Sequence, residues 1–133
     1  DERKLVNEGA IAEQFIGQHL QSLLADSPNR ELTYWLREGR VANAEVDYVI
    51  TVAGQIVPIE IKAGASGSMK SLHQFMGEKG VPLAVRFDAA LPSVSTVDAT
   101  INTGKQHKKV TYPLHSLPLY LVERLNEVVI AAQ

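Results

Sequence analysis

The 133-residue chain has no cysteine, which excludes a disulfide scaffold and a thiolate zinc site and fits a cytoplasmic protein. It also has no apolar stretch approaching the length of a membrane span, and no signal-peptide pattern precedes its first helix-like stretch. No excess of basic residues is present either: 13 Lys and Arg stand against 15 Asp and Glu, a formal net charge of −2. That balance gives no global attraction for nucleic acid, so any such binding relies on local basic patches and metal ions. Internal repeats are absent. No G-x-x-x-x-G-K-[ST] run occurs, so the chain cannot hydrolyse a nucleotide by that motif. It begins D-E-R-K without an initiator methionine, which leads us to expect a piece of a longer protein. What remains, at 45% hydrophobic and 21% charged residues, is the composition of one globular domain large enough for a real core.

The informative part is a pair of segments, Glu45-Val46-Asp47 and Glu60-Ile61-Lys62. Ala44 to Val52 and Gln55 to Lys62 are β-branched runs broken at Ala53-Gly54, a hairpin pattern. A two-residue loop there sets Val52 against Gln55 and, counting outward, Asp47 against Glu60 and Glu45 against Lys62, the last four on one face. A turn at Gly54-Gln55 sets Asp47 against Lys62 on the same face, whereas a three-residue loop breaks the parity. Opposed residues have Cβ atoms about 4.5–5.5 Å apart, so two carboxylates there can hold one divalent cation at the roughly 2.0–2.1 Å of Mg²⁺. Val46, Ile50, Val57, Ile59 and Ile61 are expected on the opposite, core side, with Val49 and Ile56 sharing the carboxylate face.

Such a set suits phosphodiester hydrolysis, which needs charge neutralised on the phosphate, a hydroxide at neutral pH and a stabilised leaving oxygen. Asp47 and Glu60 are then candidate metal ligands, and Lys62 is placed to orient or deprotonate the attacking water or to steady the developing charge. The plain alternative is a half-solvated hairpin in which Glu45 and Lys62 form a cross-strand ion pair.

The surrounding order predicts α-β-β-β-α-β. Lys4 to Leu24 has helical apolar spacing and carries Glu13, with Gly9 and Gly17 four residues to either side, a hint of close packing. Asp26 to Asn29 reads as a turn and Glu31 to Arg37 as a strand whose Tyr34 and Trp35 are core candidates; Glu38 to Asn43 links it to the hairpin. Ala63 to Ser68 reads as a loop, with Ser68 capping a helix that runs to Gly77 or Lys79 and carries Lys70, His73 and Gln74. Pro82 to Phe87 is a strand. Ala89 to Gly104 reads as a loop with short strand pieces. Lys105 to Lys109 is a basic cluster, either a solvated loop or a phosphate contact. Val110 to Leu114 reads as a final edge strand, and Leu117 to Val129 as a core-packing helix with Pro118 in its first turn. The four histidines have no spacing that suggests a metal site.

A helix glutamate, a strand aspartate, an E-x-K strand, then a helix and a strand resemble the core of the PD-(D/E)xK, restriction-endonuclease-like superfamily. The wording G-A-I-A-E-Q-F, E-V-D-Y-V-I and V-P-I-E-I-K-A-G is similar to one branch in particular. This is the domain of unknown function found C-terminal to P-loop, AAA-type ATPase domains in prokaryotic proteins. The likeness spans Asn7 to Phe87, with Tyr112 to Leu121 resembling the closing segment.

That resemblance implies an α/β fold with a central mixed sheet flanked by helices and a C-terminal strand and helix, 1–133 being one nuclease-like domain. It implies Mg²⁺- or Mn²⁺-dependent cleavage of DNA with Glu13, Asp47 and Glu60 as metal ligands, joined by the Ile61 carbonyl, and Lys62 acting on the water. Glu45 would tune Lys62 or bind a second ion, while Lys70, Gln74, Lys105, Lys108 and Lys109 are candidate nucleic-acid contacts. An N-terminal ATPase domain is the implied partner. Val46 replaces the proline of the superfamily name without disturbing the metal logic. Gln74 matches a helix glutamine of related exonucleases, but Glu78 stands where they carry tyrosine, so a role in processing duplex ends is not carried over. The rival expectation is a catalytically quiet module that docks onto its ATPase, a sister subunit or nucleic acid; cleavage of RNA or a nucleotide-like molecule is a third.

Overall fold

A computed structural model describes residues 2–25, 32–36, 45–52, 54–62 and 69–132, with side chains described for 10–23, 46–52, 54–62 and 69–132. Helix α1 (Glu2–Ala25) is followed by strands β1 (Leu32–Leu36), β2 (Glu45–Val52) and β3 (Gln55–Ile61). Then come α2 (Lys70–Lys79), β4 (Ala84–Asp88), β5 (Ser93–Thr103), β6 (Gln106–Pro118), a 3₁₀ segment (Leu119–Arg124) and α3 (Leu125–Ala131). The expected α-β-β-β-α-β order is present, followed by a long hairpin and the closing helix. The turn at Asp26 to Asn29, the connection Glu38 to Asn43 and the loop Ala63 to Ser68 lie outside the described residues, as do the side chains of Tyr34, Trp35 and Glu45.

The strands form one six-stranded mixed sheet in the order β1-β2-β3-β4-β6-β5. β3, β4 and β6 are mutually parallel neighbours, while the outer pairs are antiparallel. Parallel neighbours need crossovers, and α2 supplies the one between β3 and β4. Both faces are covered. Ala12, Ile16 and Leu20 of α1, with Val122, Leu125 and Val129, pack on one face against Tyr48, Ile50, Val52, Val57, Ile59 and Ile61. Leu72, Phe75 and Met76 of α2 pack on the other against Val46, Val49, Ala84, Val110, Tyr112 and Leu114.

The hairpin turn is the expected one: Val52 pairs with Gln55, and Gly54 adopts a φ of 79°, the left-handed region that favours glycine. Gly17 is a close-packing glycine, because a Cβ there would overlap the Tyr48 hydroxyl and ring. The surroundings of Gly9 lie outside the described residues.

Five expectations are corrected. Val46 does not join Ile50: two β2 residues, Asp47 and Tyr48, lie opposite Tyr34 alone, where the register moves from Thr33↔Val49 to Trp35↔Val46. This is a bulge, and it turns Val46 into the α2-side core beside Val49. Ala89 to Gly104 is not a loop but contains the eleven-residue strand β5, whose small Ser, Thr and Ala residues gave no apolar alternation because most are exposed. Val110 to Leu114 is the middle of a thirteen-residue inner strand. Pro113 is tolerated because the ladder to β4 starts one residue later, at Leu114, so β6 there has a neighbour on one side only. Helix α2 starts at Lys70, with Met69 rather than Ser68 at the cap position and no side-chain cap. Pro118 ends β6 rather than sitting inside a helix.

Candidate metal centre

The C-terminal ends of the three parallel strands carry a polar patch on the α2 side of the sheet. Alternation dictates it: Ile59 and Ile61 face α1, so Glu60 between them faces α2. Register then sets Arg86 of β4 beside Glu60, and Ser116 of β6 beside Arg86. One step further along the strands come Lys62 and Asp88. Open α/β sheets bind ligands at this carboxyl end.

Glu60 is 7% exposed and is the most unusual residue here. Its Oε1 lies 3.1 Å from Lys62 Nζ, yet Oε2 is buried with no hydrogen-bond partner, a state that only Gln55 Oε1 shares among the described side chains. Burial, and then the negative charge of Asp47, push its carboxyl from 4.5 up to about 7, against the pull of Lys62; Glu13 adds a smaller push. Asp47 is placed by the bulge: its Oδ2 accepts a 2.7 Å bond from the Ile61 amide across the hairpin. The amide of Lys62 donates to the Phe87 carbonyl at 2.8 Å, which fixes the base of the lysine on β4.

The sheet therefore brings Asp47, Glu60 and Lys62 together. Glu13 stands on α1, its carbonyl accepting from the Tyr48 hydroxyl at 3.2 Å, and its charge adds to the push on Glu60. No three His, Asp or Glu side chains converge into a ready-made ligand set among the described residues. The fit to a divalent cation rests on Glu60 and Asp47. A buried carboxylate oxygen without a partner, next to a second carboxylate, offers the hard oxygen donors that Mg²⁺ or Mn²⁺ takes.

The other candidates lie apart. Gln74 donates to Glu78 at 2.8 Å and to the Asn102 carbonyl at 3.4 Å, tying α2 to the hairpin. Lys70 is exposed at the start of α2. Lys108 donates to the Gly77 carbonyl at 3.0 Å, near the end of α2, where a cation meets the negative end of the helix. Lys105 occupies the turn of the β5–β6 hairpin, and Lys109 borders a shallow hollow of about 440 Å³ with Asp98, Thr100 and Thr111. Counting along β6 at about 3.3 Å per residue, this basic run lies roughly 25–35 Å from the level of Glu60. The histidines show no shared centre: His19 bonds the Phe15 carbonyl at 3.0 Å, His107 is exposed, and burial lowers the pKa of His115. His73 Nδ1 lies 2.7 Å from the Tyr112 hydroxyl, and burial lowers its pKa too.

Sequence reasoning missed Arg86, Asp88 and Ser116. Arg86 Nε donates to Asp88 Oδ2 at 3.0 Å and Nη2 to Ser116 Oγ at 2.8 Å. The available signal was A-V-R-F-D itself, in which an arginine and an aspartate two residues apart share one face of an otherwise apolar strand.

Comparison with protein families places the chain in the class of domains of unknown function. A family model, Domain of unknown function (DUF4143), matches residues 8–115, and the chain belongs to that family. A search of curated proteins finds no match. Among the described residues, no helix is long and apolar enough to cross a membrane.

Proposed function

We propose that this domain is a Mg²⁺- or Mn²⁺-dependent nuclease of the PD-(D/E)xK type that cleaves DNA phosphodiester bonds in the cytoplasm, as the accessory domain of an AAA-type ATPase. The observation that carries the reading is Glu60: a buried carboxylate with one unpartnered oxygen, crowded by Asp47 and flanked by Lys62. A fold that leaves one oxygen of such a group without a partner suits a cation site, since an unsatisfied buried polar atom is otherwise destabilising.

Asp47 and Glu60 would hold the ion, with Glu13 and the Ile61 carbonyl completing the set and Glu45 available for a second ion. When bound, a divalent cation neutralises phosphate charge and lowers the pKa of water. Lys62 stays hydrogen-bonded to Glu60 Oε1 and directs its remaining donors toward the attacking water or the phosphoryl oxygens. Glu60 would hold the ion in its ionised form, and Asp47 holds the Ile61 backbone in register by accepting the hydrogen bond of the Ile61 amide. The ATPase association rests on the resemblance of sequence; family membership supports only a domain of unknown function.

The test is thermal stability with Mn²⁺ or Mg²⁺ for the wild type and Asp47→Ala, with plasmid cleavage followed in the same samples. Metal-dependent stabilisation and nicking, both lost in the variant, are expected. The absence of a three-ligand set among the described residues favours a second reading, a quiet module that docks onto the ATPase, a partner subunit or nucleic acid. That reading predicts no metal response in either protein.

A further inference from the structure

Arg86 stands directly beside Glu60 on the neighbouring parallel strand, on the same face of the sheet. Strands lie about 4.8 Å apart, within easy reach of an arginine side chain. A buried carboxylate with an empty oxygen next to a guanidinium is expected to pair with it, because that pairing satisfies both groups. Here it does not. Arg86 turns to Asp88 through Nε and to Ser116 through Nη2, and Glu60 Oε2 remains unpartnered. Asp88 is 14% exposed at its side chain and Ser116 is buried, so both anchors are fixed by the sheet.

Resting on the cation-site reading above, we propose that Arg86 is the phosphate-holding residue of this site and that Asp88 and Ser116 are positioning residues that keep it off Glu60. The division serves both charges of a metal–phosphodiester pair. Glu60 keeps an oxygen for the cation. Arg86, 30% exposed at its side chain, keeps Nη1 without a protein acceptor among the described residues and presents it to a phosphoryl oxygen. Arginine suits this task because its planar fork can hold two anchors and still donate to a third group. The substrate class is therefore a phosphodiester whose phosphate lies above β4, between the Glu60 and Ser116 strands. The distant basic run on the hairpin is not required for this contact.

The experiment measures two affinities for one set of variants. Mn²⁺ is titrated by thermal shift, and a labelled DNA duplex is titrated by anisotropy in Ca²⁺. The proteins are the wild type, Arg86→Gln, the double variant Asp88→Asn/Ser116→Ala, and the triple variant combining all three changes. Melting in EDTA verifies that each one folds. The untethered double variant is expected to bind Mn²⁺ on the order of tenfold more weakly, because released Arg86 occupies Glu60. The triple variant regains wild-type Mn²⁺ affinity, a rescue that a merely structural role for Asp88 and Ser116 would not produce. Arg86→Gln alone keeps Mn²⁺ affinity but binds DNA at least about tenfold more weakly. A weakened double variant that the triple variant fails to rescue overturns the tether, and unchanged DNA affinity in Arg86→Gln overturns the phosphate contact. Both of those results leave the nuclease reading standing if the wild type still responds to Mn²⁺ and cleaves. A wild type without any Mn²⁺ response overturns the proposal and the reading together.

Discussion

Glu60 concentrates the energetic tension of the site, and its sign with pH follows from burial. A carboxyl raised from 4.5 to about 7 binds its proton more tightly in the folded chain than in the unfolded one. Its contribution to stability is therefore fully present below about pH 4.5 and is lost as the pH rises through about 7. In EDTA, stability is expected to fall between pH 5 and pH 8 by at most about 3 kcal/mol from this group. Glu60→Gln removes that part of the slope, as urea unfolding at several pH values will show; an unchanged slope would place the titration elsewhere. Divalent metal acts in the opposite sense. It needs the ionised form, so stabilisation by Mn²⁺ should be larger at pH 8 than at pH 6.

The seating of α1 on the sheet depends on a glycine and a tyrosine. Gly17 lies against the ring end of Tyr48, whose hydroxyl donates to the Glu13 carbonyl one turn earlier. Gly17→Ala gains roughly 1 kcal/mol of helix propensity but forces the ring or the helix to move, at a typical overpacking cost of about 1–3 kcal/mol. Net destabilisation is expected, and Tyr48→Phe should reduce it by removing the overlapping oxygen. A double-mutant cycle in denaturant reads the coupling; strict additivity would mean that the two residues do not meet. Because α1 also carries Glu13, a shifted helix moves that charge relative to Glu60, and a weaker Mn²⁺ response of Gly17→Ala than of the wild type is expected alongside the stability loss. The bulge in β2 works at the same scale. One extra residue re-aims Asp47 onto the Ile61 amide and sends Val46 into the α2-side core.

Across the whole molecule, charge is distributed toward two ends. Carboxylates, Lys62 and Arg86 gather at the C-terminal ends of the parallel strands, while Lys105, His107, Lys108 and Lys109 lie at the far end of the β5–β6 ribbon. A duplex reaching both would cross much of the sheet. Replacing Lys105 and Lys109 with glutamine should reduce the salt dependence of DNA binding by up to about one unit of slope per lost phosphate contact, without altering the Mn²⁺-induced rise in melting temperature. An altered metal response would show that the two ends communicate. An unchanged salt slope would make the basic run a solvated face and leave local binding to Arg86 and the cation.

Much of the architecture was legible in the residues because it rests on short-range rules. The 3.6-residue apolar period marked α1, and alternation about Ala53-Gly54 marked the hairpin and set Val52 against Gln55. The E-x-K offset placed Glu60 and Lys62 on one face, and turn-to-helix spacing predicted α2 to within two residues. By themselves, then, the residues determined the order of the first six elements and the local company of the carboxylates. Tertiary structure alone decided which strands became neighbours. β5 was hidden because an exposed ribbon needs no apolar alternation, and the bulge at Asp47 exists only in the pairing of β1 with β2. The Glu60–Arg86–Ser116 row joins residues from three strands whose adjacency is set by crossovers through α2 and the β5–β6 hairpin. Burial of Glu60, the absence of a partner for Oε2 and the turning of Arg86 toward Asp88 are consequences of that packing. Local sequence fixes the parity of a strand, but only the assembled sheet fixes what stands beside it and how little water reaches it.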